Sequence, residues 1–375
     1  MKNLSLLWIA WLLIHGAATN ASEKVPVLQA KPLTVQVLAA SAATPERPYL
    51  AFPAIVDLGP EVLISYKHGK AHAGDVGATL DWLRYDKTSQ MVRSQGVLAS
   101  LDGEIIQMGE WVRFPNGDIA NYLDIQRSAG QRSGLGLVRS EDGGRSFSPV
   151  QRLGVVDGVE YGYAFDACSR KEATWLVAMT FANLPGGHLV HRTTSQPGSV
   201  DVLRSDDHGR TWRFVCSLTQ TLDQAPINES TLVAFGDGYL IAARGYDGRQ
   251  WLLHMDADFQ LIAKTNLREA YPFLQTIDRP RLFARDGVYY LLGRNRVESR
   301  NSELALFRLD PERLSLTQRV VLAKADGQSP ADSFYAQPFW TDIGGRSHFH
   351  VITYQRGEGP GLDIVRLEYA WDEIR

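Results

Sequence analysis

Glu229 and Arg244 bracket one strand–turn–strand stretch, NESTLVAFGDGYLIAARG. Glutamate is a poor strand former, so its place at the start of a strand marks that end of the sheet for chemistry. Asp75 stands in a glycine-bordered loop, HAGDVGATLDW, which leaves another hairpin. Tyr335 lies in ADSFYAQPFW and Arg300 in SRNSELALFRLD, with Arg279, Arg281, Arg294 and Arg296 as competitors upstream. Lys67 and Lys70 end the first hairpin, and Glu110 and Asp166 stand near the strand starts of two further stretches. Such a set suits acid–base chemistry and the gripping of an anion. Arginine offers a carboxylate two parallel N–H bonds, whereas lysine offers only a point charge. There is no phosphate loop, dinucleotide fingerprint or catalytic-cysteine pattern. His68, His72, His188, His191, His348 and His350 supply no clear third ligand, so neither a metal nor another cofactor is expected.

These residues need elements that bring distant parts of the chain together. Six stretches read as a strand, a tight turn and a second strand, beginning at Ala51, Gly109, Phe165, Glu229, Arg279 and Ala336. Five of the turns carry glycine (Gly59, Gly117, Gly238, Gly287, Gly344), the residue that reaches positive φ without strain. Their spacing of roughly 50–65 residues indicates a repeat array. Further short strands, GLGLVRS and SVDVLRS, lead into two matching boxes, RSEDGGRSF and RSDDHGRTW. Both read Ser-x-Asp-x-Gly-x-Ser/Thr-aromatic. In each, Asp142 or Asp207 is placed to bond backbone N–H groups across the turn, and Phe147 or Trp212 to pin it to the apolar layer. The expectation is an all-β chain, a six-bladed β-propeller of four-stranded antiparallel blades. Its last strand, GLDIVRLEY, would close the ring beside the early strand near Val35.

The chain has 375 residues, 44% of them hydrophobic and 22% charged, ordinary for a globular protein with a sizeable core. A formal net charge of -3 gives no electrostatic case for nucleic acid. Residues 1–21 read as a secretory signal: Lys2, an apolar run from Leu4 to Ile14, then small residues, with cleavage expected after Ala21. The propeller would then span 22–375, secreted or periplasmic, monomeric and without membrane contact after cleavage. Two cysteines, Cys168 and Cys216, do not make a disulfide scaffold, and their pairing stays open. Trp82, Trp111, Tyr161 and Tyr163 are candidates to stack on sugar faces, although most such aromatics serve a core.

With these units in place the chain resembles the sialidase (neuraminidase) superfamily, whose six-bladed propellers carry such Asp-boxes on the blade periphery. The resemblance covers nearly all of 22–375. It rests on the two boxes, the Asp-x-Gly loop at Asp75 and the Asn-Glu start at Glu229 with Arg244 after it. A looser fifth-unit arginine at Arg300 and Tyr335 at the sixth unit complete it. It implies Tyr335 as nucleophile, Glu229 as its base, Asp75 as acid and base, and Arg244 with Arg300 on the substrate carboxylate. A sialic acid carries its carboxylate on the anomeric carbon. A neutral tyrosine avoids the repulsion that a carboxylate nucleophile would meet, and two displacements retain configuration. One position departs from the family. Ala51 stands where the first clamp arginine belongs, with Arg47, Lys67 and Lys70 nearby as substitutes. The expected function is thus an exo-sialidase-like hydrolase that releases a terminal acidic sugar, sialic acid or an analogue, from a glycan. The alternatives are a non-catalytic carbohydrate-binding propeller and another glycan-active enzyme, such as a lyase, on the same scaffold.

Overall fold

The computed structural model describes residues 25–181, 198–298, 301–327 and 333–375. The leader at residues 1–21, Arg300, His188 and His191 lie outside them. Backbone hydrogen bonds group the strands into five sheets. Four are discrete blades with four antiparallel strands each. They run from Ile105–Arg113 to Gln151–Arg152, from Val159–Arg170 to Arg213–Ser217, from Ile227–Phe235 to Leu261–Asn266, and from Thr276–Arg285 to Ser315–Asp326. Val155–Val156 adds a fifth strand to the second of these, and Val27–Gln29 adds one, in parallel, to the fourth.

The other eight strands come from both ends of the chain and form one continuous sheet. The expectation of a six-bladed β-propeller of four-stranded antiparallel blades is corrected to four such blades beside one eight-stranded sheet. The cause lies at the seam. The last long strand, Leu362–Ala370, pairs antiparallel with Thr34–Ala39, Val35 opposite Leu367, and at Leu362 it also pairs in parallel with Tyr49. Closure therefore hydrogen-bonds two sets of strands into one sheet. A buried polar clasp sits on it: Arg366 bonds Gln36 (3.0 Å), Glu368 (3.0 Å), His350 (2.7 Å) and Gln90 (3.1 Å), drawing three chain segments together. Burial, with the Arg366 charge beside it, pushes the His350 imidazole down to about 3 and keeps it neutral. His348 bonds Glu368 (2.8 Å).

Strands in the middle of the sheets are covered on both faces. Leu362–Ala370 is buried at every residue, and its three charged members, Asp363, Arg366 and Glu368, are held by hydrogen bonds. Tyr49–Asp57 packs on Ile105–Arg113, that strand on Val159–Arg170, and so on through Ile227–Phe235 to Thr276–Arg285, with Gln337–Ile343 against Tyr49–Asp57. Five of these six inner strands slip register against their partners. The slips lie between Ala51 and Ala54, Ile106 and Met108, Tyr161 and Tyr163, Ile227 and Ser230, and Asp278 and Arg281. A bulge leaves a residue unpaired and re-aims side chains. Phe52 and Arg279 sit at two of these slips with φ of 58° and 49°, each before a proline that has no N–H to offer the ladder. Left-handed backbone at non-glycine residues persists only where the surroundings hold it, and here it faces the axis.

The outer turns are built locally. In the first box Asp142 accepts from Arg145 N (2.9 Å), Ser146 N (3.0 Å), Ser146 Oγ (2.6 Å) and Ser140 Oγ (2.7 Å). Asp207 accepts likewise from Thr211 N (2.9 Å), Thr211 Oγ1 (2.6 Å) and Ser205 Oγ (2.8 Å). Each aromatic reaches the preceding unit: Phe147 packs on Trp82, and Trp212 donates from Nε1 to the Tyr122 hydroxyl (3.1 Å). A Cβ on Gly144 would meet Leu63, and one on Gly209 would meet Phe114, so these glycines permit close approach between units. The same third-to-fourth-strand turn is aspartate-capped by Asp86, Asp256 and Asp310 in units without the full motif. Cys168 and Cys216 are free, and burial pushes their thiols up to about 11 and about 12. Among the described residues no helix is long and apolar enough to cross a membrane.

Candidate functional site

A cavity of about 380 Å³ opens where the inner strands converge, and Glu229, Arg244 and Tyr335 line it together. Each owes its place to a local device. Glu229 stands at the fourth unit's bulge, its carboxylate turned to the axis and 3% exposed. Arg244 is the seventh residue of the neighbouring strand Gly238–Gly245. Arg294 is the seventh residue of Val288–Glu298 in the next unit and lines the same cavity, as does Arg296. Tyr335 precedes the sixth unit's inner strand, following Phe334 at φ 66°.

These side chains form one ionic cluster. Arg244 bonds Glu229 (2.6 Å) through Nη1 and forms an ion pair with Asp278, its Nε 2.9 Å from Oδ1. Asp278, fully buried, also takes Arg294 (2.8 Å) and Arg296 (2.6 Å). Three guanidinium groups thus meet two carboxylates in this cluster. Burial alone would raise the Asp278 carboxyl, but the three arginines outweigh it and hold it well below the usual range. Glu229 is also held low: burial opposes this, and the Arg244 and Arg279 charges prevail. The Tyr335 phenol and the Glu229 carboxylate interact in this cavity, Tyr163 donates to Glu229 (3.5 Å), and the Arg294 guanidinium lies over the Tyr335 ring, 4.7 Å from its centre. Burial and the Glu229 charge raise the Tyr335 phenol above its ordinary value, against the pull of Arg294 and Arg244.

The other sequence-predicted residues fall elsewhere. Asp75 turns into its own loop and accepts from the backbone N–H of Lys70 and of Ala71 (3.4 Å). Its loop instead presents His72 and Ala73 to the cavity. Lys67 is fully buried behind that loop, donating to His72 O (3.0 Å) and Gln107 Oε1 (2.8 Å), and burial lowers it to about 8 against the Asp75 and Asp124 charges. Lys70 is exposed, and Arg47 holds His68 O (2.6 Å) and Gly77 O (3.0 Å). Glu110 is buried between Arg279 (2.6 Å) and Arg281. Asp166 bonds Arg281 (3.1 Å). Trp82 and Trp111 pack around Phe147 at the box, while Tyr163 lines the cavity. Among the described residues, no group of three or more His, Cys, Asp or Glu is placed to hold a metal ion.

At the first unit, Ala51 is buried and Phe52 is the bulged residue that faces the cavity. Its ring lies 5.5 Å from Tyr335 and 5.2 Å from His72. The wall where a first clamp arginine was sought is therefore aromatic. Residues not singled out from sequence complete the lining: Gln107, Asp124, Gln126, Arg132, Asn228 and Tyr246. Asp124 is tied to Arg132 (2.8 Å) and Gln126 (3.0 Å). Asn228 Oδ1 is buried without a hydrogen-bond partner, which in a polar cavity marks a place for a ligand donor. A signal for Arg294 was present. Lys67, Arg244 and Arg294 are each the seventh residue of the second strand in their unit, so superposing the hairpins selects them.

The fold is that of sialidase-type propellers. A protein of unknown function from Dyadobacter fermentans superposes with a TM-score of 0.69 at 15% identity, over 92% of this chain and 99% of its own. The NanB sialidase of Streptococcus pneumoniae gives 0.61 at 10% identity, over 92% of this chain and 71% of its own. The Trypanosoma rangeli sialidase gives 0.55 at 11% identity, over 87% of this chain and 55% of its own. No family model matches the sequence. No curated protein matches it either.

Proposed function

We propose that the axial cavity binds the terminal, carboxylate-bearing sugar of a glycan. The observation that carries this reading is the convergence of three arginines, Arg244, Arg294 and Arg296, on one polar cavity wall. A carboxylate is the ligand group that guanidinium forks match best. Asn228 Oδ1 supports a hydrogen-bonding ligand, and Phe52, Tyr163 and Tyr246 offer apolar faces for a sugar ring. The cavity volume is near the low end for small-ligand sites and suits one sugar residue. The Trypanosoma rangeli sialidase, which shares the fold, was solved with sialic acid bound. The N-terminal leader suits export, so the glycan would be met in the periplasm or outside the cell.

Calorimetric titration with the 2,3-didehydro analogue of N-acetylneuraminic acid tests this. Saturable, salt-sensitive binding is expected, weakened at least ~10-fold, about 1.4 kcal/mol, in Arg296→Met. Arg296 is the mildest choice because it is the most exposed of the three. Equal affinity for a neutral sugar such as galactose would contradict the reading.

A second reading, hydrolysis with retention, is favoured by Tyr335 and Glu229 facing each other's charge in the same cavity wall. Tyr335 would attack the anomeric carbon while Glu229 takes the phenol proton. The raised phenol and the lowered carboxyl make that transfer unfavourable in the ground state, so it belongs to the transition state, where attack lowers the phenol's proton affinity. Release of 4-methylumbelliferone from its sialoside is the readout. Tyr335→Phe should remove at least ~10³-fold of it, about 4 kcal/mol of barrier, while the didehydro analogue still binds. Binding by the parent protein without any release would leave the first reading alone.

A further inference from the structure

The hydrolytic reading needs a group that protonates the departing oxygen, and the residue first suggested for it does not face the cavity. Asp75 Oδ2 is engaged by the Lys70 and Ala71 amides, folded over Gly69, where an added Cβ would strike it. Two residues of the same loop do line the cavity, and His72 alone of them titrates. His72 is also held from backbone and ring. Its carbonyl accepts from Lys67 Nζ (3.0 Å) and Gln107 Nε2 (2.6 Å), and its Nδ1 bonds the Tyr49 hydroxyl (2.8 Å). Its ring stands edge-on to Phe52 at 5.2 Å, and Tyr335 stands on the same ring at 5.5 Å. A nucleophile and a proton donor flanking one aromatic floor is an arrangement that a sugar ring can span. Held from backbone and ring alike, the imidazole is pre-organised as a positioned acid must be.

Resting on that hydrolytic reading, we propose that His72, oriented by Tyr49, is the general acid and base of glycoside cleavage. In the first step the Tyr335 oxygen bonds the anomeric carbon and its proton passes to Glu229. The bond from that carbon to the leaving oxygen breaks, and the oxygen keeps the electron pair. Imidazolium His72 gives its Nε2 proton to that oxygen and becomes neutral, while Nδ1–H stays on the Tyr49 oxygen. In the second step neutral Nε2 takes a proton from water as the water oxygen bonds the anomeric carbon. The tyrosyl–carbon bond breaks and Glu229 returns its proton to the phenolate. Asp124, the other cavity-lining acid of this side, is the rival, tied to Arg132 and Gln126.

The test compares two leaving groups on the full exported chain, sialyllactose and 4-methylumbelliferyl sialoside, because a good leaving group needs little protonation. His72→Gln should lose ~10²–10⁴-fold in kcat/KM on sialyllactose and far less on the aryl sialoside, and Asp75→Asn should show no such split. Tyr49→Phe should give a smaller loss with the same leaving-group bias, which keeps the idea testable if His72→Gln folds poorly. Binding of the didehydro analogue checks that each variant is folded. Equal losses on both substrates, or a split that appears in Asp124→Asn instead, would overturn the assignment and leave the hydrolytic reading standing. A parent protein inert on both substrates would overturn both.

Discussion

Carboxylates organise the rim and the axis of this ring, but they find their partners at different ranges. Asp142 on the rim takes its hydrogen bonds from Ser140, Arg145 and Ser146, all within four residues. At the axis Glu229 meets the Arg244 side chain 15 residues on and the Arg279 amide 50 residues on, and Glu110 meets Arg279 at a separation of 169. The rim motif therefore forms turn by turn, with water as a ready substitute if a partner is lost. The axial cluster exists only once distant units have docked, and there an unpaired charge has nowhere to go.

The contrast can be broken most forcibly at Asp278. Asp278→Asn takes the shared counter-charge from buried Arg244 and Arg294 and half-buried Arg296, and should cost ~3–5 kcal/mol in urea unfolding, with ligand binding disturbed as well. Its pH dependence follows from the depressed carboxyl. The stabilisation is complete above the unfolded value near 3.9 and is lost as pH falls through the lower folded value. The gap between parent and variant should accordingly narrow in acid. A gap that is constant between pH 6 and pH 3 would show that the charge is not what Asp278 contributes.

Lys67 sharpens the comparison at the alkaline end. Burial lowers it from 10.5 to about 8, so between those values the unfolded chain holds a proton that the folded chain has released. Stability contributed by this group rises with pH across that window, by up to ~3 kcal/mol. Lys67→Met should flatten that rise, seen as the difference between the two denaturation midpoints at pH 8 and pH 10. An identical slope in both proteins would place the lysine in water. The smallest effect belongs to the rim. Asp142→Ala should lower the melting temperature less than either axial change and leave binding of the didehydro analogue untouched. An effect on affinity would mean that the turn communicates with the axis.

The same difference in range explains what could be read from the chain alone. The boxes, the glycine turns at Gly59, Gly117, Gly287 and Gly344 and the closing pair near Val35 and Leu367 depend on neighbours or on plain strand patterning, and they are where the residues suggest, while Gly236 rather than Gly238 takes the positive φ of its turn. Sheet count was not legible, because the parallel contact of Leu362 with Tyr49 that merges strands across the seam has no local signature. Glu229, Arg244 and Tyr335 were visible through position within repeated units. The arginines beside them were a contest among neighbours, which the second-strand register resolves toward Arg294. Asp278 gave no local sign of serving three arginines. The turn of Asp75 into its own backbone depends on loop geometry around Gly69, and Phe52 reaches the cavity only through a bulge, a shift that no alternation pattern announces.

The most direct measurement is a crystal structure of the protein with the 2,3-didehydro analogue of N-acetylneuraminic acid. The account predicts the ligand carboxylate within hydrogen-bond reach of at least two of Arg244, Arg294 and Arg296, with the sugar ring over Phe52. Binding on another face, or an empty axial cavity at saturating ligand, would contradict it.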